Sequence, residues 1–277
     1  MSDPMGNIME VEHVDAAYGP YRALFDVSFT IPAGGVVALI GSNGAGKSTV
    51  ARTITGLVQA TAGTIRFDGV DVTQKPAWQI ARLGVASVVE GRGVFSQLTV
   101  EENLTLTFRQ RGTRKELSRN LEKAYESFPA LGERRTQMAG TLSGGQQRLL
   151  SLAKVLVIPP KLLVADELSL GLAPVVIDMV YQGLEKIRAA GTALLIVEQQ
   201  VDRVLKISDK AVVLDRGSVT FEGPTNEAGN VIESLLARRE RAGSTAAKLV
   251  DEAVNDGVDP EHVVSKLVDE ATKGLDA

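Results

Sequence analysis

Apolar runs of strand length recur along the chain, with helix-length segments between them. The runs at 36–40, 162–165 and 193–197 are continuously apolar, which is typical of strands buried on both faces of a parallel sheet. Further short strands are predicted at 63–69, 84–89, 210–215 and 218–222. Helices are predicted at 49–57, 77–83 and 175–189. This alternation predicts an α/β domain with a mostly parallel sheet.

Two stretches depart from this alternation. Residues 8–12 and 24–31 show the period-two pattern of half-buried strands, so we expect an N-terminal antiparallel β subdomain with a turn at 15–20. Residues 99–137 are charged and carry apolar positions at three- and four-residue spacing. That spacing predicts an inserted helical subdomain at about 91–150.

The composition changes this picture little but excludes several classes of function. The 277 residues are 44% apolar, enough for a packed core. The net charge of -4, with no dominant basic patch, argues against a general nucleic-acid binder. The chain has no cysteine, which excludes disulfides, cysteine zinc sites and thiol catalysis. It shows no signal-peptide pattern and no apolar run near the ~20 residues that span a bilayer, so we expect a cytoplasmic location.

A glycine-rich loop lies between the predicted strand at 36–40 and the helix that follows. It reads Gly41, Ser42, Asn43, Gly44, Ala45, Gly46, Lys47, Ser48 and Thr49. Its glycines allow successive backbone N–H groups to curl around an anion, and the helix N-terminus points its dipole at the same place. In this pattern Lys47 reaches the β- and γ-phosphates of a nucleotide, and the Ser48 hydroxyl binds Mg²⁺. The loop therefore predicts a nucleoside triphosphate site.

A second anion-receptive helix start is predicted after residue 142. There Ser143 is a good N-cap, and Gly144 and Gly145 expose backbone N–H groups ahead of Gln146. An aromatic residue, Tyr18, lies upstream of the phosphate loop. It either fills the edge of a sheet or stacks on a nucleobase, and the residues alone favour neither interpretation.

Two predicted strands end in carboxylates. The run at 162–165 leads into Asp166 and Glu167. A buried acid needs a metal or hydrogen bonds, so we expect Asp166 to coordinate Mg²⁺. Glu167 would face the γ-phosphate and orient or deprotonate a water. Glu90 follows the strand at 84–89 and either faces the ligand crevice or is a solvated loop acid.

The order and spacing of three motifs resemble those of an ATP-binding cassette (ABC) ATPase. The motifs are the phosphate loop, Leu142-Ser143-Gly144-Gly145-Gln146 and the Asp166-Glu167 strand end, and the resemblance covers about residues 8–236. The segments 89–92, 98–104, 169–174 and 197–199 are similar to those of the ATPase subunits of branched-chain amino-acid (Liv-type) importers, and of urea and amide importers. The resemblance implies a P-loop NTPase (RecA-like) core that carries the two subdomains predicted above.

The resemblance also implies roles for individual residues. Tyr18 falls at the adenine-stacking aromatic, Glu167 at the catalytic glutamate, and 143–146 at the signature that contacts ATP on the opposite protomer. Lys47, Glu167 and Gln199 form the implied catalytic set. The implied metal site is Ser48, Asp166 and Glu90. The active unit would be a head-to-tail dimer that closes on two ATP molecules with Mg²⁺, either a homodimer or a heterodimer with a paralogous ATPase subunit.

Four positions depart from the general family pattern. Glu90 replaces a metal-touching glutamine, Gln199 a switch histidine, and Ala173 an aspartate, and all three look usual for the Liv-type branch. Leu168 stands where a proline normally follows the catalytic glutamate. We expect the loss of that proline to loosen the turn that aims Glu167.

Two functions are compatible with these motifs. The first is the ATPase subunit of an importer for branched-chain amino acids or related small amides. It would work with integral-membrane permease subunits and a separate solute-binding protein, at the inner face of the cell membrane. The second is a soluble ABC ATPase that acts on nucleic acid or ribosomes. Such proteins usually carry two cassettes, whereas this chain has one loop, one signature and no basic linker. We therefore prefer the importer and expect no nucleic-acid partner.

The cassette is expected to span residues 1–241 and a C-terminal helical extension residues 242–277. In the extension, the segment 248–253 recurs at 266–271, with helix stop and start signals between the two copies. Two short amphipathic helices are predicted. They either pack on their own domain or dock a partner.

Overall fold

The computed structural model describes residues 6–88, 93–111, 114–198, 201–229 and 231. The chain separates into two compact units, residues 1–225 and 226–277. The strands and helices that surround the phosphate loop all lie in the first unit. Glu90, Gln199 and the expected extension at 242–277 lie outside the described residues, so the domain boundary at 241 stays a prediction.

The strands and helices follow the order expected from the hydrophobic pattern. The strands are β1 (Asn7–Tyr18), β2 (Tyr21–Pro32), β3 (Val36–Gly41), β4 (Ala60–Phe67), β5 (Val70–Asp71), β6 (Val85–Val88), β7 (Leu162–Asp166), β8 (Ala193–Val197), β9 (Lys210–Asp215) and β10 (Ser218–Pro224). The helices are α1 (Lys47–Ile54), α2 (Ala77–Leu83), α3 (Val100–Arg111), α4 (Arg114–Ser127), α5 (Pro129–Gly132), α6 (Gly144–Val157), α7 (Pro174–Ala189) and α8 (Val201–Ile207). No helix in the part of the chain that the structure describes has the length and apolar character needed to span a bilayer.

The central sheet is mostly parallel, as predicted. Its strand order is β10-β9-β3-β8-β7-β6, and all neighbours are parallel except β9 and β10. The inner strands β7 and β8 are buried at every residue. In register, Leu39 and Asp166 both lie opposite Val197. The carboxyl ends of β3, β7 and β8 therefore meet at one edge of the sheet.

The N-terminal antiparallel sheet is also present, in the order β2-β1-β4-β5. The turn predicted at 15–20 is wrong over its first residues, because β1 continues to Tyr18. Asp15 and Ala16 stay in the ladder opposite Ala62 and Ala60 of β4, and Ala16 is fully buried. The tight turn itself is confined to Gly19 and Pro20.

The predicted helical insertion is confirmed, with α3, α4 and α5 followed by α6. A buried polar network joins its first and last helices. Asn103 of α3 is fully buried and donates to the carbonyl oxygen of Phe95 at 2.9 Å. Lys154 of α6 donates to the Asn103 amide oxygen at 3.1 Å and to the carbonyl oxygen of Gly93 at 2.6 Å. Burial lowers the pKa of Lys154 to about 8.

One helix differs from its predicted bounds, and a second helix was not predicted. The helix expected at 49–57 begins at Lys47 and ends at Ile54, since Gly56 takes a positive φ of 74°. The helix α8 was not predicted. It has seven residues and buries Val204, so its apolar pattern is too short to show the helical period.

Helices α6 and α7 approach each other closely at a glycine. A Cβ atom added at Gly145 would lie 2.6 Å from Cγ1 of Val176, whereas one added at Gly144 would meet no atom within 4 Å. The close approach of the two helices therefore requires a glycine at 145 but not at 144.

We accordingly predict that Gly145→Ala lowers the free energy of unfolding by about 1–3 kcal/mol, the usual cost of overpacking. Gly144→Ala is the matched control and should leave stability unchanged or slightly raised, because no atom opposes its methyl group. Adding Val176→Ala to Gly145→Ala should restore most of the loss. Chemical denaturation of the four proteins measures these differences, and equal stabilities of the two alanine variants would contradict the packing argument.

Candidate functional site

The phosphate loop runs from the carboxyl end of β3 into α1. Gly46 is the N-cap of α1, with φ at 100°, and no side chain caps this helix start. Gly44 also has a positive φ, 79°. At Gly41 a Cβ atom would clash with the carbonyl oxygen of Leu214 in β9. The glycines thus serve two needs, left-handed backbone at two positions and close strand contact at the third.

The other loop residues divide into an outer rim and buried anchors. Ser42 is half-buried and Asn43 is exposed, whereas Ala45 and Thr49 are buried. The carbonyl oxygen of Ala45 accepts from the backbone N–H of Gly217 at 2.9 Å. The buried residues therefore anchor the loop to the rest of the domain, whereas Asn43 is exposed to solvent.

Lys47 folds over the loop that precedes it. Its side chain is only 4% exposed, and Nζ donates to the carbonyl oxygens of Gly41 and Ser42 at 2.9 Å each. These contacts hold a positive charge against the backbone of the loop. An anionic ligand in the loop would meet this ammonium group together with the N-terminus of α1.

Asp166 ends β7 directly beside the loop. Its carboxylate is 7% exposed and accepts from the Ser48 hydroxyl at 3.4 Å. Burial, and after it the Glu167 charge, raise the pKa of Asp166, while the Ser48 hydrogen bond, Arg52 and Lys47 act in the opposite direction. The carboxylate is thus poorly compensated at neutral pH, as expected of a group built to meet a cation.

The available oxygen donors suit a Mg²⁺ ion that also binds substrate phosphates. They do not suit a metal held by protein side chains alone. Among the described residues, no group of three or more His, Cys, Asp or Glu side chains could hold a metal. Mg²⁺ is commonly bound through one or two carboxylates together with substrate phosphates. Ser48 and Asp166 supply such a partial set next to the phosphate loop. The third predicted ligand, Glu90, lies outside the described residues.

Glu167 follows Asp166 in a strained backbone conformation. Its φ is 50°, in the left-handed region, and its N–H donates to the carbonyl oxygen of Val197 at 2.9 Å. This conformation costs a residue with a side chain roughly 1–2 kcal/mol, so it needs surrounding contacts to hold it.

The turn after Glu167 lacks the usual proline but is held by buried hydrogen bonds. Leu168 is 1% exposed. The N–H and hydroxyl of Ser169 both donate to the carboxylate of Glu198, at 2.9 and 2.7 Å. Sequence reasoning missed Ser169 and Glu198 as site residues. A signal was present, since Glu198 directly follows the apolar run 193–197 as Asp166 follows 162–165.

The second helix start behaves as predicted for an N-cap. The Ser143 hydroxyl accepts from the N–H of Gln146 at 3.3 Å, and the Gln146 side-chain oxygen accepts from the N–H of Ser143 at 3.0 Å. This reciprocal pair is a capping box. In the described part of the chain, the hydrogen bonds of these two residues stay within the helix start, and none reaches the phosphate loop.

Tyr18 lies at the end of β1, next to the helix of the phosphate loop. Its side chain is 43% exposed, and its hydroxyl accepts from Nη1 of Arg52 in α1 at 3.4 Å. The exposed ring beside α1 is accessible to a ligand, and base stacking by Tyr18 stays a prediction. Gln199 would follow β8 at the same edge of the sheet but lies outside the described residues.

These features converge with comparisons to known proteins. Residues 24–169 match a family model described as ABC transporter. The high-affinity branched-chain amino acid transport ATP-binding protein BraG of Pseudomonas aeruginosa is 42% identical over 216 residues, which cover 77% of this chain and 91% of that protein. A probable branched-chain amino acid transport ATP-binding protein, LivF of Archaeoglobus fulgidus, is 35% identical over 77% of this chain and 91% of its own length.

Solved structures agree with the sequence relatives. A nucleotide-free ATP-binding cassette from an ABC transporter has a TM-score of 0.70 at 29% identity, over 83% of this chain and 95% of that one. An ATP-binding cassette of an ABC transporter in its ADP conformation has a TM-score of 0.68 at 29% identity, over 79% of this chain and 91% of that one. With its phosphate loop, its capped second helix start and its paired carboxylates, the chain belongs to the ABC transporter family.

Proposed function

We propose that this chain is the ATP-binding and ATP-hydrolysing subunit of an ABC importer for branched-chain amino acids or related small amides. The observation that carries the proposal is the placement of Lys47, Ser48, Asp166 and Glu167 at one edge of the parallel sheet. The importer assignment is supported by relatives named as branched-chain amino acid transport proteins. Those names do not favour the alternative of an ATPase that acts on nucleic acid.

In this proposal the loop binds the triphosphate of ATP. Backbone N–H groups of 41–49 and the start of α1 surround the phosphates, and Lys47 exchanges its carbonyl contacts for phosphate oxygens. The exposed ring of Tyr18 stacks on the base. Ser48 and Asp166 would hold Mg²⁺, and Glu90 is proposed as a further ligand. The bound ion supplies positive charge that offsets the phosphate charge.

Glu167 is proposed to orient the attacking water and take up its proton. Support for this role comes from the backbone of Glu167, which is held by its bond to Val197 one residue after the proposed metal ligand. Gln199 is proposed to hydrogen-bond in the same region from the end of β8. It cannot change its charge near neutral pH.

A second protomer would complete the site. The N-terminus of α6 with Ser143, Gly144, Gly145 and Gln146 is proposed to contact ATP held by the partner in a head-to-tail dimer. Support comes from α7, which packs against the start of α6 at Gly145 and Val176 and carries the exposed apolar residues Val175 and Met179, 69% and 41% exposed; Leu170, before α7, is 45% exposed. Closing of this dimer would drive the permease subunits, which fix the protein to the inner face of the membrane, with a separate solute-binding protein delivering the solute.

Binding and hydrolysis should separate in two variants. Lys47→Ala should weaken ATP binding by about 10- to 100-fold, because it removes charged hydrogen bonds to phosphate. Glu167→Gln should keep binding but lower kcat by about 100-fold or more, because it removes the proton acceptor. With Mg-ATP, light scattering should show Glu167→Gln as a dimer. The exposed Lys186→Ala is the matched control, and normal turnover in Glu167→Gln would remove Glu167 from the catalytic role.

The raised pKa of Asp166 predicts a stability change in the protein without nucleotide or metal. An acid whose pKa is raised on folding penalises the folded state above that pKa, and the penalty vanishes once the acid is protonated. Asp166→Asn should therefore raise Tm at neutral pH, and its advantage over the wild type should shrink as pH falls. The exposed Asp202→Asn serves as control. Tm is measured by calorimetry with EDTA present. A lower Tm for Asp166→Asn than for the wild type at pH 7 would contradict a destabilising Asp166 charge.

The importer assignment itself is tested with the complete system. The chain should co-purify with its permease subunits, and ATPase activity in vesicles should rise when the solute-binding protein and a branched-chain amino acid or small amide are added. Stimulation should disappear with Glu167→Gln. An ATPase that ignores all such solutes and is instead stimulated by nucleic acid or ribosomes would overturn the proposal.

A further inference from the structure

Three hydrogen bonds join the segment 167–169 to the end of β8. The N–H of Glu167 donates to the carbonyl oxygen of Val197 at 2.9 Å. The N–H and hydroxyl of Ser169 donate to the two carboxylate oxygens of Glu198, at 2.9 and 2.7 Å. One side chain, that of Glu198, therefore supplies two of the three attachments of this turn.

The hydrogen bonds between Ser169 and Glu198 are buried. Glu198 is 2% exposed and Ser169 is 4% exposed. Burying a carboxylate is unfavourable unless hydrogen bonds compensate it, and bonds to a charged acceptor are the stronger kind. Tyr181 of helix α7 is also close to this group, and after the larger effect of its own burial the Glu198 charge raises the pKa of Tyr181. Because Glu198 is buried, it can restrain the turn at 167–169 more tightly than an exposed side chain could.

The constrained turn contains the strained residue. Glu167 has left-handed backbone angles, which persist only where neighbouring contacts enforce them. Leu168 offers no such restriction, since only a proline fixes its own φ. The bonds between Ser169 and Glu198 supply the restriction from the other strand instead.

We infer that Glu198 is a positioning residue for catalysis: through Ser169 it holds the backbone of Glu167 in the conformation that aims the Glu167 carboxylate. The inference rests on the catalytic role proposed above for Glu167. Glu198 accepts two hydrogen bonds from Ser169, on the carboxylate side of the proposed site, whereas Lys47 donates to the loop carbonyls that precede it. Loss of Glu198 should therefore affect the chemical step and leave ATP binding in place.

The test is a comparison of kcat, KM for ATP and Tm in three variants. Glu198→Ala should lower kcat by about tenfold or more, with KM changed less than about twofold, because a misplaced catalytic group slows chemistry without loosening the nucleotide. Glu198→Gln should recover most of the rate, since its amide can accept from the Ser169 N–H and donate to the Ser169 hydroxyl. Ser169→Ala should fall between them. Combining it with Glu198→Ala should add little, as expected for residues in contact.

The matched control is Thr192→Val at the opposite end of β8. The Thr192 hydroxyl is 1% exposed and donates to the carbonyl oxygen of Pro160 at 2.8 Å. This variant also removes a buried hydrogen bond between neighbouring segments, so it should lower Tm while kcat stays unchanged. If Glu198→Ala does not fold, Ser169→Ala decides the matter, because it retains the buried carboxylate.

Two results would overturn the inference. One is a kcat loss in the Glu198 and Ser169 variants no larger than that in Thr192→Val. The other is a rise in KM that accounts for the whole loss of kcat/KM. The proposed function fails separately, namely if Glu167→Gln keeps normal turnover. An inactive Glu167→Gln beside a fully active Ser169→Ala and Glu198→Ala would refute the positioning role alone.

Discussion

The parallel pairing of β3, β8 and β7 is the constraint on which the site depends. The phosphate loop follows β3, and the carboxylates proposed to bind the metal and to act in catalysis, Asp166 and Glu167, lie at the end of β7; the register sets the two strand ends side by side. These strands are buried, so a register shift by one residue would turn core side chains away from their partners. The pairing of the apolar runs at 36–40, 162–165 and 193–197 thus sets the positions of the polar groups that follow each run.

The groups at this edge are individually unfavourable for folding. Lys47, Asp166 and Glu198 are charged side chains in buried positions, and Glu167 has strained backbone angles. Each is compensated differently. Lys47 pairs with loop carbonyls, Glu198 with Ser169, and Asp166 only weakly with Ser48. The least compensated group is therefore the one proposed to bind Mg²⁺, which agrees with the tendency of functional sites to sacrifice stability.

The sequence predicts the elements better than the contacts between them. The bounds of β8, β9 and α2 agree with their predictions, because continuous apolar runs mark the two strands, and Pro76 and Gly84 mark the ends of the helix. The turn at 15–20 was placed too early, because cross-strand pairing keeps Asp15 and Ala16 in β1. Helix α8 was missed because it is short.

The candidate site follows the same division. Local motifs identified the loop, the capped helix start and the Asp166-Glu167 pair, since each is a contiguous pattern with its own chemistry. The bond between Ser169 and Glu198 joins residues 29 positions apart, and the contact between Gly145 and Val176 joins two helices. Neither contact produces a recognisable pattern in the local sequence. The hydrogen bonds that hold the turn beside Leu168 were not predicted for this reason, because the acid that accepts them follows another strand.

In the proposed dimer, the phosphate loop of one protomer and the helix start at Ser143 of another enclose the same ATP. A structure of the Glu167→Gln protein with Mg-ATP would show whether they do. We expect two nucleotides at a dimer interface, each with its γ-phosphate between Lys47 of one protomer and Ser143 of the other. Phosphates bound away from Lys47, or a Ser143 that contacts no nucleotide in an ATP-loaded dimer, would contradict this arrangement.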